Sequence, residues 1–244
     1  MPRRPGHQPD DRARRPRPDR PRKPTDTQGT APPRKSVVGL RIIGGRFRGR
    51  RLTYLGDHGT RPMKDRVREA VFNLIWPAAE GAVAIDLFAG TGALGLESLS
   101  RGAVAAWFVE NNRPAAKAIR ENVERLEIAA CSQVVAADVF AWAAHALPGE
   151  LAAVTEPWLV FCCPPYEYYA SRGRELLQLL ESLATAAPHG STLVVESDQR
   201  FDTASLPASL DWDVRRYPPA VIGIGRKRES GDGSHVNLPD SQRS

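Results

Sequence analysis

The sequence predicts an α/β fold: a doubly wound, mostly parallel sheet closed by antiparallel strands. Three observations carry this. From residue 82 onward, short apolar runs alternate with helix-length segments, the pattern of parallel strands joined by covering helices. Runs such as AVAIDLF are apolar nearly throughout, as in strands buried on both faces. The last two strand-like runs follow one another with no helix between them, which suits an antiparallel pair.

In order, AVAIDLF (82–88) is the first strand, and GALGLESLSRG (92–102) is a helix stopped by Gly102. AAWFVEN (105–111) is the second strand, before a helix over 114–126. SQVVAAD (132–138) is the third, before a short helix over 140–146. PWLVFCCPPY (157–166) is the fourth, before a helix over 171–187, and STLVVESD (191–198) is the fifth. WDVRRY (212–217) and VIGIGRKR (221–228) form the closing pair. Ahead of this body, RIIGGRFRGRRL (41–52) reads as a short hairpin with a bulge, punctuated by Gly44, Gly45 and Gly49. Arg61-Pro62 opens a helix, MKDRVREAVFNLIW (63–76), that Pro77 ends. Val67, Val71, Leu74 and Ile75 make its apolar face, with Lys64 and Arg68 elsewhere and basic residues on the exposed side.

The 244 residues carry a formal net charge of +6, unevenly distributed. Residues 1–35 hold +7 and residues 36–70 hold +6, whereas residues 71–244 hold −7. Residues 1–35 contain 9 prolines and no Leu, Ile, Val, Phe, Trp or Tyr, so they cannot bury enough apolar surface to offset ordering entropy. They read as a disordered tail that either solubilises the protein or works as a nucleic-acid arm. Residues 229–244 read as a second polar tail. The expected organisation is therefore a tail (1–35), a basic hairpin and helix (36–80), a cofactor-binding body (81–228) and a tail (229–244). No apolar run reaches membrane-spanning length, and the N-terminal charges lack the apolar segment of a secretory signal. Three cysteines, Cys131, Cys162 and Cys163, make neither a disulfide framework nor a metal site. A cytoplasmic protein without a metal or a membrane partner is expected.

The hairpin carries Arg41, Arg46, Arg48, Arg50 and Arg51 beside Phe47, with no acid among them. Guanidinium groups bind phosphate bidentately and stack on bases, so this segment reads as a nucleic-acid surface. The plainer alternative is a solvated hairpin edge that resists aggregation.

In doubly wound sheets ligands sit beyond the carboxyl ends of the strands, and four strand ends carry chemistry. Asp86-Leu-Phe-Ala-Gly90-Thr-Gly92 leaves the first strand; its glycines permit a tight turn and close approach of a cofactor, and its acid suits a cationic amino-acid portion better than a pyrophosphate. Glu110 ends the second strand, where a carboxylate accepts ribose hydroxyls. Asp138 ends the third and could accept from an adenine amino group. Cys163-Pro164-Pro165-Tyr166 ends the fourth; the prolines make a rigid turn and the tyrosine offers a stacking face.

With these residues the chain resembles a class I S-adenosylmethionine-dependent methyltransferase. More narrowly it resembles the RsmD family of small-subunit ribosomal RNA (guanine-N2) methyltransferases, through RIIGGRFRGRRL, TRPMKDRVREAVFN, DLFAGTGALGLESLSRGA and the ESD strand at 196–198. The resemblance runs from about Arg41 to about Arg228 and implies a bacterial enzyme, monomeric, with a Rossmann-like sheet behind the basic hairpin and helix. It implies methyl transfer from S-adenosylmethionine to a guanine amino group of 16S ribosomal RNA, free or in an assembling 30S subunit. Asp86, Phe88, Gly90 and Gly92 would shape the methionine end of the cofactor site. Glu110 and Asn111 would hold the ribose, and Asp138 and Val139 would face the adenine. Arg41, Arg46, Arg48, Arg50, Arg61, Arg66 and Arg68 would grip RNA phosphates, and the base would be splayed out of its stack.

The chain departs from the family at one catalytic position. The family reads Asp or Asn, Pro, Pro, then Phe or Tyr; here Cys163 stands first. A side-chain oxygen and the first proline's carbonyl would accept the amine protons and turn its lone pair towards the methyl, and a thiol is a weak acceptor. Cys163 thus marks a slower enzyme, an acceptor thiolate of lowered pKa, or a scaffold that keeps RNA binding in ribosome assembly without the chemistry. Glu167, after Tyr166, is a candidate partial substitute, and Cys162 should face the core.

Overall fold

The computed structural model describes residues 39–54 and 63–227. The two tails and Arg61 lie outside the described residues. Seven strands form one sheet in the order β3-β2-β1-β4-β5-β7-β6, with β1 at Val83–Leu87, β2 at Ala105–Val109, β3 at Ser132–Val135, β4 at Trp158–Cys162, β5 at Thr192–Asp198, β6 at Asp211–Tyr217 and β7 at Ala220–Arg226. The first five are parallel, and β7 runs antiparallel to both β5 and β6, as the alternation and the helix-free last pair predict. This is the class I methyltransferase arrangement.

Helices α2 (Ala93–Ser100), α3 (Arg113–Arg125), α4 (Val139–Ala146), α5 (Glu167–Ser171) and α6 (Gly173–Ala186) connect the strands, behind α1 at Asp65–Leu74. The helix expected over 171–187 is α6, and a short additional helix, α5, precedes it across Arg172. Every residue of β1 and β4 is buried. Ile85, Leu87, Trp158 and Val160 enter one core layer with α4 and α6, whereas Ala84 packs with α2 and α3, and Leu159 and Phe161 with α1. Alternate side chains of a strand serve opposite faces. Cys162 enters the first layer as expected, and Cys163 packs on the other side. Among the described residues no helix is long and apolar enough to cross a membrane.

The basic segment is a looser hairpin than the sequence suggests. It pairs through a single antiparallel bridge, Arg41 with Arg51, supported by Ile42 N–H to Arg50 O (3.0 Å) and Leu52 N–H to Leu40 O (2.9 Å). Polar groups of the body hold it instead. The buried Glu97 accepts from the Ile43 and Gly44 N–H groups at 2.8 and 2.7 Å. Ser100 Oγ donates to Gly44 O and accepts from Phe47 N–H, and Asn122 bonds both backbone groups of Thr53.

Arg68 overturns the expected helix orientation. Its side chain is 0% exposed and donates to Arg41 O at 2.6 Å, Met63 O at 3.4 Å and Asp65 Oδ1 at 3.0 Å. The buried face of α1 is Arg68, Val71 and Phe72, and the long Arg68 side chain directs its two terminal nitrogens to two backbone carbonyls and the Asp65 carboxylate. It is not available to RNA phosphates.

Candidate active site

The chain leaves β1 for β2 and β3 on one side of the sheet and returns to β4 on the other. The switch point therefore lies between β1 and β4, where Leu87 is in register with Cys162. A cleft of about 640 Å³ opens there, lined by residues that include Asp86, Phe88, Gly90, Glu110, Asn111, Glu196 and the Cys163–Tyr166 turn. Three of the four predicted strand ends converge on it.

Asp86 is fully buried, and its Oδ2 accepts the Gly95 N–H at 2.9 Å. Burial pushes its carboxyl up to about 8, with Glu110 adding to the rise and the Gly95 N–H opposing it. The loop beyond β1 turns through left-handed residues Phe88, Gly90 and Gly92 (φ 57°, 54° and 71°). A Cβ on Gly92 would lie 3.1 Å from Ile119, so this turn needs glycine for both conformation and space. Glu110 grips the turn: Oε2 accepts the Gly90 N–H at 2.6 Å and Oε1 the Asn112 N–H at 2.7 Å. Asn112 caps α3 through the Ala115 N–H.

Asp138 and Val139 are not among the residues lining the cleft. Val139 is 2% exposed in the core. Asp138 caps α4 through the Phe140 and Ala141 N–H groups and pairs with Arg172 Nη1 at 2.9 Å. Partial burial raises the Asp138 carboxyl, but Arg172 and those N–H groups outweigh it and hold the carboxyl below its ordinary range. The Arg172 guanidinium lies 3.9 Å over the Phe140 ring. Phe88 meets Phe140 and Tyr168 edge-on.

At the fourth strand end, burial drives the Cys163 thiol well above its ordinary pKa, and the charges of Glu196 and Asp86 add to this. Of the three alternatives for Cys163, the acceptor thiolate is the one this environment opposes. Glu167 is exposed, in the first turn of α5. Glu196, read in sequence only as part of the ESD likeness, turns out to be central. Its Oε1 accepts the Tyr166 hydroxyl at 2.8 Å, and its backbone carbonyl accepts the Tyr169 hydroxyl at 2.7 Å. The signal was a carboxylate interrupting an apolar strand.

Arg41, Arg46, Arg48, Arg50, Arg51 and Arg66 are all exposed. Arg46 stacks over Phe47, and Arg41 approaches Asp65 at 3.7 Å. Met63, Lys64 and Val67 line one part of the cleft, Lys64 being exposed, and Tyr217, Pro218 and Pro219 form another part of its lining. Among the described residues no group of His, Cys, Asp or Glu could hold a metal ion.

Comparison with known proteins agrees with this fold. The family model described as Conserved hypothetical protein 95 matches residues 40–216. The chain is 35% identical over 179 residues to ribosomal RNA small subunit methyltransferase D of Escherichia coli K12, covering 72% of this chain and 83% of that protein. The solved structure of the Escherichia coli protein yhhF superposes with a TM-score of 0.62 at 31% identity, covering 78% of this chain and 99% of that one. A hypothetical protein of Thermus thermophilus superposes with a TM-score of 0.60 at 27% identity, over 77% of this chain and 99% of its own. With a match that spans residues 40–216, the chain belongs to the RsmD family, the Conserved hypothetical protein 95 group of class I S-adenosylmethionine-dependent methyltransferases.

Proposed function

We propose that this protein transfers a methyl group from S-adenosylmethionine to the exocyclic N2 amino group of a guanine in 16S ribosomal RNA. One observation carries the reading: in a member of this family, an acid- and glycine-lined pocket and a Pro-Pro-Tyr turn share one cleft, with the exposed Lys64 of the basic segment in its lining. S-adenosylmethionine supplies an electrophilic methyl on a sulfonium, beside an ammonium and a ribose. The residues fit those groups. Asp86 is a buried carboxyl whose ionised form needs a cation to offset its desolvation, and Gly90 and Gly92 bring backbone close beside it. Glu110, already oriented by two N–H groups, and Asn111 would take the ribose. Pro164 O and Tyr166 would position the amine and base.

Arg41, Arg46, Arg48, Arg50 and Arg66, with Arg61, would hold RNA phosphates as residues 36–80 form the RNA-contacting part and residues 81–228 the methyltransferase part. The protein would act in the cytoplasm as a monomer, without a metal, on RNA or on an assembling 30S particle. Cys163, standing where the family has Asp or Asn, favours a second reading, a slowed or inactive assembly factor on the same scaffold. Labelled methyl transfer to undermethylated 30S particles, followed by mass mapping of the modified nucleotide, separates the two. N2-methylguanosine supports the enzyme; bound cofactor without incorporation supports the assembly factor.

A further inference from the structure

We infer that Glu196 is a catalytic residue of this protein, supplying the carboxylate acceptor that its relatives place before the two prolines and that Cys163 does not provide. This rests on the methyl-transfer reading. Strands β4 and β5 are parallel neighbours with Cys162 level with Val195, so the next pair across the sheet is Cys163 and Glu196. Both line the cleft with Pro164, Pro165 and Tyr166. Glu196 is half-buried, the one residue of β5 that is not closed to solvent. Two tyrosines of the turn and of α5 fix it: Tyr166 through the carboxylate and Tyr169 through the backbone carbonyl. A carboxylate offers about four acceptor positions, so one that accepts from a tyrosine hydroxyl is able to accept from an amine as well.

The other acids nearby are less suited. Asp86 is committed to Gly95 and to the cationic end of the cleft, and Glu167 is exposed at the start of α5. Glu196 and Pro164 O would each accept one proton of the exocyclic amine, turning its lone pair towards the methyl. As nitrogen forms its bond to the methyl carbon, the carbon–sulfur bond breaks and its electron pair stays on sulfur, which becomes a neutral thioether. The surplus proton on nitrogen passes to the Glu196 carboxylate and then to water in the cleft.

The test compares the full-length protein with Glu196→Gln, Cys163→Asp, the double variant and Tyr166→Phe. It reads kcat against pH on undermethylated 30S particles and cofactor affinity by calorimetry. Glu196→Gln should lower kcat at least a hundredfold, with cofactor Kd unchanged and the acid limb of the pH profile lost. Adding Cys163→Asp should restore at least tenfold, a rescue that a purely structural role would not show. Tyr166→Phe removes a donor to the carboxylate and should move the acid limb to higher pH, which decides the question even if Glu196→Gln misfolds. Turnover of Glu196→Gln within threefold of the parent, no rescue, or an unmoved limb overturns the assignment to Glu196 alone. Activity only after Cys163→Asp likewise overturns it. If neither the parent nor Cys163→Asp transfers methyl groups while both bind cofactor, the methyl-transfer reading itself falls.

Discussion

Glu97 holds Gly44: the carboxylate, buried in the middle of α2, accepts the Gly44 N–H at 2.7 Å through Oε1 and the neighbouring Ile43 N–H through Oε2. The same Oε1 accepts Arg101 Nε at 2.7 Å. One acid of the methyltransferase sheet layer thus ties the basic loop to the helix that begins at the glycine turn. Glu97→Ala should cost about 3 kcal/mol, because it removes charge-assisted bonds and leaves two N–H groups and Arg101 without their acceptor. RNA affinity should fall much more than cofactor affinity. Chemical denaturation with paired binding titrations checks both, and equal losses would show that the loop is not a separate RNA-bearing element.

The arginines divide by burial, and their substitutions should divide likewise. Arg48→Ala and Arg50→Ala remove exposed cations and should each flatten the salt dependence of RNA binding by about one in slope, with thermal stability unchanged. Arg68→Ala leaves Arg41 O and Asp65 without their donor and opens a cavity under the loop. It should destabilise the fold by about 3 kcal/mol. A stable Arg68→Ala protein with a reduced salt slope would return Arg68 to the RNA surface.

That division shows what the sequence could and could not convey. The alternation of apolar and helical segments predicted the strands and their parallel run, because burial on two faces leaves a continuous apolar signature. Acids at the ends of β1 and β2 were recognisable because a glycine turn lies at a fixed distance from each. Arg68 was misplaced because an arginine on a helix reads as exposed until the carbonyls that satisfy it are known, and those come from residues 41 and 63. Glu196 was passed over as chemistry because its significance depends on which strand lies beside β5. Neighbours in a doubly wound sheet are set by topology, which single-chain periodicity does not encode. Asp138 was read as a ligand, yet locally it is an ordinary N-cap, the same residue type serving either role.

Asp86 makes the pH dependence of the free protein and of cofactor binding run in opposite directions. Its folded pKa of about 8 lies above the ordinary carboxyl value near 3.9. Between those values the folded state holds a proton that the unfolded state has released, so stability falls as pH rises from about 4 to 8 and is flat above. Asp86→Asn removes this contribution and should be more stable than the parent at pH 8 by several kcal/mol, with little difference at pH 4. A cationic ligand needs the ionised form, so cofactor affinity of the parent should rise up to tenfold from pH 6 to pH 7, with proton release on binding. Calorimetry in two buffers of different ionisation enthalpy measures this. A flat affinity would detach Asp86 from the ligand's charge.

Gly95 joins the packing of α2 to the position of Asp86. Its N–H donates to Asp86 Oδ2, and a Cβ built on it would lie 2.4 Å from Cε1 of Phe108, a fully buried side chain of β2. The Phe108 ring has no open side to move into, so Gly95→Ala must lift the first turn of α2 from the sheet. That overpacking should cost about 2 kcal/mol, and the displaced N–H should weaken cofactor binding more than the stability loss alone explains. Gly173, at the start of α6, provides the control, since a Cβ there meets nothing within 4 Å. Gly173→Ala should raise stability by about 0.5 kcal/mol through the unfolded chain's lost freedom, leaving cofactor affinity unchanged. Melting curves with and without S-adenosylmethionine distinguish the two: the ligand-induced rise in Tm should shrink for Gly95→Ala and persist for Gly173→Ala. Equal ligand shifts would mean that the bond between Gly95 and Asp86 does not shape the site.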